Sequence, residues 1–395
     1  MKIFKNATAY INGEGLKKCN IAFDENIVSL DADCNQSEVI SLPDDAIILP
    51  GFIDQHIHGA GSFDTMDGSV DAIKGIAQTV ACEGTTAFLA TTMTQSPENI
   101  KKALSAVNEY KNLNSADGAE VLGVHLEGPF IAPEHKGAQP LEYVAVPSVE
   151  VFDEYNKASG NNIKIVTIAP ERDGADTLIK HLDKNGVIAS IGHSGAKNKD
   201  ILTAIDNGAK NVTHTFNAQS ALHHREIGVV GSAILLDQLN CEMIADCIHV
   251  SVPAMKLLVK SKPLDKLTLI TDAMRAKGMP DGESELGGQV VIVKNGEARL
   301  KDGVLAGSVL KMNVAIKNLV EKVGVPLPQA VDYATVNPAK SLGVYDTMGS
   351  ITVGKKANFA ILNKDFEVIM TIRNGEIIYQ KSVILKSLLK IVIFY

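Results

Sequence analysis

His56 and His58 are two residues apart, a spacing that in an extended strand turns both imidazoles toward the same face. Two neutral imidazoles so placed suit one divalent cation, whereas a lone pair of this kind is more often core or surface packing. Four further groups tip the balance, because each stands at or near the end of a short apolar run: Glu127, His193, His214 and Asp272. Ionisable groups crowded on one rim repel, or stay costly to desolvate, unless a cation or a reaction compensates them. Taken together, His56, His58, Glu127, His193 and His214 are the expected metal-competent set. Asp272 is then the natural proton carrier of a hydrolytic site, accepting a proton from an attacking water and delivering it to the leaving group. His125 shares a strand face with Glu127, which leaves both a supporting role and simple packing open. His135, His181, His223 and His224 lie in loop or helical contexts and are expected to be exposed. The chain has no GxSxG motif, so a covalent serine route has little support.

These residues need a scaffold that brings strand ends together. From about Ile47 onward a β-branched apolar run ending in polar residues alternates with a segment of helical period, and eight such runs begin near Ile47, Thr85, Val121, Ile163, Val187, Asn211, Cys241 and Leu267. After the second run, Ser96 is placed to cap a helix, Pro97 suits its first position, and Ile100, Leu104 and Val107 share one face. Alternating strands and helices imply parallel strands. The unit count and the lack of a GxGxxG turn favour a (β/α)8 TIM barrel over an open doubly wound sheet. Residues 51–344 are assigned to the barrel, and residues 1–50 with 345–395 to a small β-sandwich domain built from both chain ends, with Asn374-Gly375 as a hairpin turn. An insertion from Pro280 to Leu305, with a second hairpin turn at Asn295-Gly296, falls on the active face of the barrel and is placed to shape or cover the site.

Bulk properties narrow the function. The net charge of −8 and the lack of a Lys/Arg block argue against nucleic acid or a membrane surface as the partner. The five cysteines, Cys19, Cys34, Cys82, Cys241 and Cys247, are scattered without CxxC spacing and read as reduced packing thiols in a cytoplasmic protein. No run reaches the roughly 20 apolar residues of a membrane span. The apolar tail from Ser382 to Tyr395 is short, broken by Lys386 and Lys390, and is expected to form a terminal strand or helix.

Seven motifs in order make the chain resemble the N-acetylglucosamine-6-phosphate deacetylase family of amidohydrolases over essentially its whole length. They are PGFIDQHIHG (Pro50 to Gly59), HLEGPF (His125 to Phe130), KGAQ (Lys136 to Gln139), GHS (Gly192 to Ser194), THTFNA (Thr213 to Ala218), ADCIHV (Ala245 to Val250) and TDAM (Thr271 to Met274). The resemblance implies that Glu127, His193 and His214 bind the principal metal and that Asp272 is the acid/base. It further implies that Ala138, Asn217, Ala218, Arg225, the stretch Asp246, Cys247, Ile248 and His249, and Leu305, Ala306 and Gly307 hold the substrate. Some members replace the first-strand histidines and hold one ion. His56 and His58 keep ligands for a second, so one or two divalent ions, Zn2+ or Fe2+, are implied. Gln139 stands where some relatives carry a histidine, and its amide is assigned to the acetyl oxygen of the substrate.

Arg225 offers forked donors that suit a phosphate, with His249 and backbone amides near Asn217 adding more, although taken by itself it reads equally as a surface ion pair. The resemblance implies a small amino sugar phosphate as substrate, and a homodimer in which such an arginine can come from the neighbouring subunit. Two rivals remain. A dihydroorotase, hydantoinase or deaminase would share barrel and metal, but ring-opening relatives bridge two ions with a carboxylated lysine on strand four, where this chain has only Lys164 near the strand start. A non-catalytic sugar-phosphate binding protein would have no reason to keep all five ligands and Asp272.

Overall fold

The computed structural model describes residues 1–31 and 38–381, so Cys34 and the tail from Ser382 lie outside the described residues. Eight parallel strands follow one another in a single sheet: β1 (Phe52–Ile57), β2 (Thr85–Thr91), β3 (Glu120–Glu127), β4 (Ile163–Ile168), β5 (Ile188–Ile191), β6 (Asn211–Val212), β7 (Asn240–Ile244) and β8 (Leu267–Ile270). Each pairs with its sequence neighbour, and β1 meets β8 through the Ile57–Ala273 bridge, with Asp272 N donating to His56 O at 2.8 Å and His58 N to Ala273 O at 2.9 Å. This is the (β/α)8 barrel, closed at the ends where the ionisable residues sit.

A helix follows every strand: α1 (Val70–Ala81), α2 (Pro97–Asn112), α3 (Val149–Ala158), α4 (Ala175–Lys184), α5 (Asn198–Asp206), α6 (Gly228–Leu235), α7 (Val252–Ser261) and α8 (Met312–Asn318). In α2 the Ser96 hydroxyl accepts from Asn99 N, and Ile100, Leu104 and Val107 are buried against the barrel. Such a cap stabilises a helix start by about 1 kcal/mol. β2 is buried along its whole length, as a strand covered by helices outside and side chains inside must be.

The apolar run at Ile47 does not form one strand. Ile47–Pro50 pairs antiparallel with Phe359–Leu362 and parallel with the Lys2–Ile11 strand, and only Phe52–Ile57 enters the barrel. Gly51 marks the crossing, where a Cβ would lie 2.2 Å from Thr86 Oγ1. The strands of the two chain ends form a separate hydrogen-bonded sheet, whose core includes the rings of Phe4, Phe23 and Phe359 with centroids 5.1 to 5.8 Å apart. Its Val368–Arg373 and Glu376–Gln380 strands turn at Asn374-Gly375, both at positive φ. The insertion after β8 is a three-stranded antiparallel sheet, Gly282–Leu286, Gln289–Lys294 and Glu297–Leu300, with its second turn at Asn295-Gly296.

Candidate metal centre

Glu127, the last residue of β3, is the hub of the rim. Its Oε1 lies 3.0 Å from His214 Nε2 and 3.3 Å from His193 Nε2, and those two nitrogens are 3.1 Å apart. Its Oε2 lies 3.1 Å from His58 Nε2, and His56 Nε2 is 3.5 Å from Oε1. Asp272 Oδ1 faces His58 Nε2 at 3.2 Å and His56 Nε2 at 3.4 Å. Two triads thus stand side by side, Glu127–His193–His214 and His56–His58–Asp272, all buried. Sequence spacing did not reveal that His193, His214 and Asp272 have left-handed backbones, with φ of 47°, 27° and 48°. Such positions cost on the order of 1–3 kcal/mol each and persist where surrounding structure enforces them.

The donor set fits a divalent cation. The edges of the Glu127–His193–His214 triangle approximate the ~3.3 Å expected of a tetrahedron with ligand bonds of about 2.0–2.1 Å. His193 Nδ1 donates to His135 O at 2.8 Å, which leaves its Nε2 lone pair facing the triad. His56 Nδ1 is likewise committed to Glu242 Oε2 at 3.1 Å, and its fully buried Nε2 has no hydrogen-bond partner among the described residues. Imidazole nitrogens without a hydrogen-bond partner, buried beside carboxylates, are what a bound cation satisfies in place of protons.

Charge distribution agrees. Burial pushes Glu127 and Asp272 up, but the surrounding imidazoles, His56 foremost, outweigh it, holding Glu127 well below the usual carboxylate range and Asp272 at about 2. Burial pulls His56 down, yet Asp272 and Glu127 raise it to about 9. Both carboxylates are therefore ionised at neutral pH and require positive charge beside them. Directly beneath, burial and the neighbouring His56 drive His125 down to about 3, so that ring is neutral.

A buried polar layer supports the rim. His125 Nε2 meets Thr167 Oγ1 at 2.7 Å and its ring lies 4.4 Å from that of His56. Thr167, Thr213 and Ser190 continue the chain of hydroxyls at 2.9 and 2.7 Å. His125 is thus a hydrogen-bonded support for the site. Glu242 was not among the residues singled out by sequence, although a glutamate inside the apolar run CEMIADC was the signal available. His135 is not exposed as expected: it is half-buried, lines the cavity and offers its carbonyl to His193, whereas His223 and His224 are exposed.

A cavity of about 300 Å³ opens above the rim, within the range of small-ligand pockets. His58, Glu127, His193, His214 and Asp272 form its base, and Ala138, Gln139, Asn217, Ala218, His249, Leu305 and Gly307 line it, with Leu286 and Val304 contributed by the insertion. Gly307 has φ of 61°, and a Cβ there would press on Asp272 O at 3.1 Å. Asp246, Cys247, Ile248 and Ala306 are not in the lining. Asp246 instead accepts from the Ile248 and His249 amides and from His249 Nδ1 at 2.6 Å, which aims the His249 ring. Ala306 is fully buried in the core beneath the insertion. Arg225 is exposed beside His224 and lies outside the lining of the single chain. Both polar atoms of the Gln139 amide have protein partners, Thr94 N donating to Oε1 and Nε2 donating to Glu127 Oε2, so its geometry is that of a support for the glutamate as much as of a substrate contact.

A barrel with histidines and carboxylates converging at its strand ends defines a class, and the chain belongs to it: residues 47–378 match the amidohydrolase family, whose members are metal-dependent hydrolases. Its relatives include an N-acetylgalactosamine-6-phosphate deacetylase from Escherichia coli O157:H7 and N-acetylglucosamine-6-phosphate deacetylases. The enzyme of that name from Bacillus subtilis (strain 168) is 45% identical over 345 residues, 87% of each chain. The crystal structure of the Thermotoga maritima deacetylase superposes with a TM-score of 0.87 at 34% identity, covering 96% of this chain and 100% of that one. A mutant form of the Mycobacterium smegmatis enzyme, in complex with N-acetyl-D-glucosamine-6-phosphate, gives 0.88 at 29% identity, covering 95% and 99%. Among the described residues no helix is long and apolar enough to cross a membrane.

Proposed function

We propose that this chain hydrolyses N-acetylglucosamine 6-phosphate to glucosamine 6-phosphate and acetate. The observation that carries the reading is the convergence of Glu127, His193 and His214 beside Asp272 at the base of a cavity sized for a small ligand, in a chain 45% identical to a deacetylase of that name. Glu127, His193 and His214 would hold the principal ion. His56 and His58, sharing Glu127, would hold a second, with Zn2+ or Fe2+ suited to this nitrogen and oxygen donor set. When bound, such an ion polarises the amide carbonyl and acidifies a water.

Asp272 is ionised, so it begins as the base. It takes one proton from the attacking water as the C–O bond forms, then returns it to the amide nitrogen as the C–N bond breaks, releasing the amine and acetate. The left-handed backbone at Asp272, held by hydrogen bonds to His56 O and from Ser308 N, accompanies a carboxylate that faces His58 Nε2 at 3.2 Å and His56 Nε2 at 3.4 Å. Ala138, Asn217, Ala218, His249, Leu305 and Gly307 would position the sugar, with Gln139 between them and Glu127. Arg225, exposed on its own chain, would meet the phosphate of a substrate bound in a neighbouring subunit of a homodimer, together with that subunit's His249.

Glu127 supports the deacetylase over the ring-opening amidohydrolases. Its carboxylate lies 3.0–3.5 Å from the rings of His56, His58, His193 and His214 and would be shared between two ions, while Lys164 near the start of β4 lies outside the cavity lining. The deciding experiment measures acetate released by purified, metal-analysed protein from N-acetylglucosamine 6-phosphate, its galactosamine epimer, unphosphorylated N-acetylglucosamine and a dihydropyrimidine. Release from the phosphorylated sugars alone is expected. No release with full metal would return the substrate question to the other amidohydrolases.

A further inference from the structure

Glu242 lies outside the cavity lining, yet it is 0% exposed and touches two of the proposed ligands. It sits in β7, and its Oε2 accepts from His56 Nδ1 at 3.1 Å and from His214 N at 3.2 Å, while Oε1 accepts from Gln55 Nε2 at 2.7 Å. Its own carbonyl accepts from Thr215 N at 2.9 Å. One buried carboxylate therefore joins the first, sixth and seventh strands of the barrel beneath the rim.

We infer that Glu242 is a positioning residue that sets the tautomer and direction of His56 and locks the strained backbone of His214, so that both rings present Nε2 to the ions. The inference rests on the reading that His56 and His58 hold an ion beside Glu127. His56 Nδ1 faces an acceptor and must carry the proton, so the lone pair falls on Nε2, 3.4 Å from Asp272 and 3.5 Å from Glu127. A carboxylate behind a ligating imidazole also raises its basicity, and removing such a partner typically lowers metal affinity about 10- to 100-fold. At His214, φ of 27° is conformationally costly, and the two anchors from Glu242, side chain to residue 214 and main chain to residue 215, hold it. The cluster His56–His125–Glu242 is not itself a cation site: His125 Nδ1 faces Gln55 O at 3.3 Å, His125 Nε2 meets Thr167, and His56 Nδ1 is already donated.

The structure supplies a clean test. Gln55 Oε1 has no partner among the described residues, so in Glu242→Gln the Gln55 amide can turn over and accept from the new amide nitrogen. The new amide oxygen still accepts from His56 and His214. Shape and hydrogen bonds survive, and only the charge is lost.

The measurement is stepwise binding of Co2+ to metal-free full-length protein, read by the visible spectrum and by metal analysis, for wild type, His56→Ala and Glu242→Gln. Wild type taking up two ions, His56→Ala one, and Glu242→Gln two with the weaker affinity lowered about 10- to 100-fold and its cobalt bands shifted, is the expected result. Two ions in wild type, with Glu242→Gln matching it in affinity and spectrum, would overturn the positioning role alone. A single ion in wild type, unaffected by His56→Ala, would instead sink the reading of the second site and this inference with it. Should Glu242→Gln fail to fold, Gln55→Leu serves: freeing one carboxylate oxygen is expected to weaken the second ion several-fold, and unchanged binding would overturn the role.

Discussion

Gln139 Nε2 donates to Glu127 Oε2 at 2.8 Å while Thr94 N fixes the other end of the same amide at 2.7 Å. The shared glutamate is therefore held by a side chain that cannot swing away without leaving Thr94 N unsatisfied and stripping one of two donors, His58 being the other, from a buried carboxylate oxygen. A hydrogen bond to a charged group contributes about 1.5–3 kcal/mol. Gln139→Leu is expected to lower metal affinity and kcat/KM about 10- to 100-fold with the fold intact, as judged by circular dichroism and metal analysis. Unchanged metal binding with a raised KM alone would show Gln139 to be a substrate contact instead.

Of the two carboxylates in the buried triads that meet at the rim, Glu127 is surrounded by His58, His193, His214 and Gln139, which leaves the proton transfer to Asp272. Asp272→Asn is expected to reduce kcat by about 10²- to 10⁴-fold. Metal bound through Glu127, His193 and His214 should be retained, as plasma emission analysis would report. Near wild-type turnover would remove the acid/base role, and loss of the principal ion would make Asp272 a plain ligand.

Removing metal leaves the two buried carboxylates compensated only by protonated imidazoles. Dialysis against a chelator is expected to abolish acetate release and to lower the melting temperature by several degrees, both recovered on adding Zn2+ or Fe2+, because a ligand held at 100 times its Kd stabilises by about 2.7 kcal/mol. Full activity at less than roughly 0.1 ion per chain would contradict a metal-dependent site.

How far these residues could be read from sequence depended on geometry type. His56, His58, Glu127, His193, His214 and Asp272 were legible because a parallel barrel delivers every strand end to one rim, so knowing that a residue ends a strand nearly fixes its place. The domain boundary at Gly51 was drawn, but Ile47–Pro50 was still read as the start of the first barrel run, because only tertiary pairing assigns those apolar residues to the other sheet. Glu242 and Gln55 were missed for a related reason: they act from inside the barrel across strands 187 residues apart in sequence, and no local pattern encodes that contact. Arg225 was singled out by the family resemblance, its chemistry alone reading equally as a surface ion pair, and a single chain does not bring it to the cavity.

His125 gives the protein a sign-definite pH dependence. Burial and the adjacent His56 lower it from its ordinary 6.5 to about 3 in the folded state. Between those values the unfolded chain binds a proton that the folded one refuses, so this residue's contribution to stability is fully present above pH 6.5 and is lost as the pH falls toward 3. One pH unit is worth about 1.4 kcal/mol. Urea denaturation at about pH 7.5 and 5.5 should therefore show wild type losing about 1.4 kcal/mol more than His125→Gln over that interval, whatever the variant's own offset. The difference isolates His125, because the metal ligands and other histidines titrate in both proteins. Equal losses would mean that His125 takes up its proton in the folded protein as readily as in the unfolded chain, so that burial beneath His56 does not hold the ring neutral.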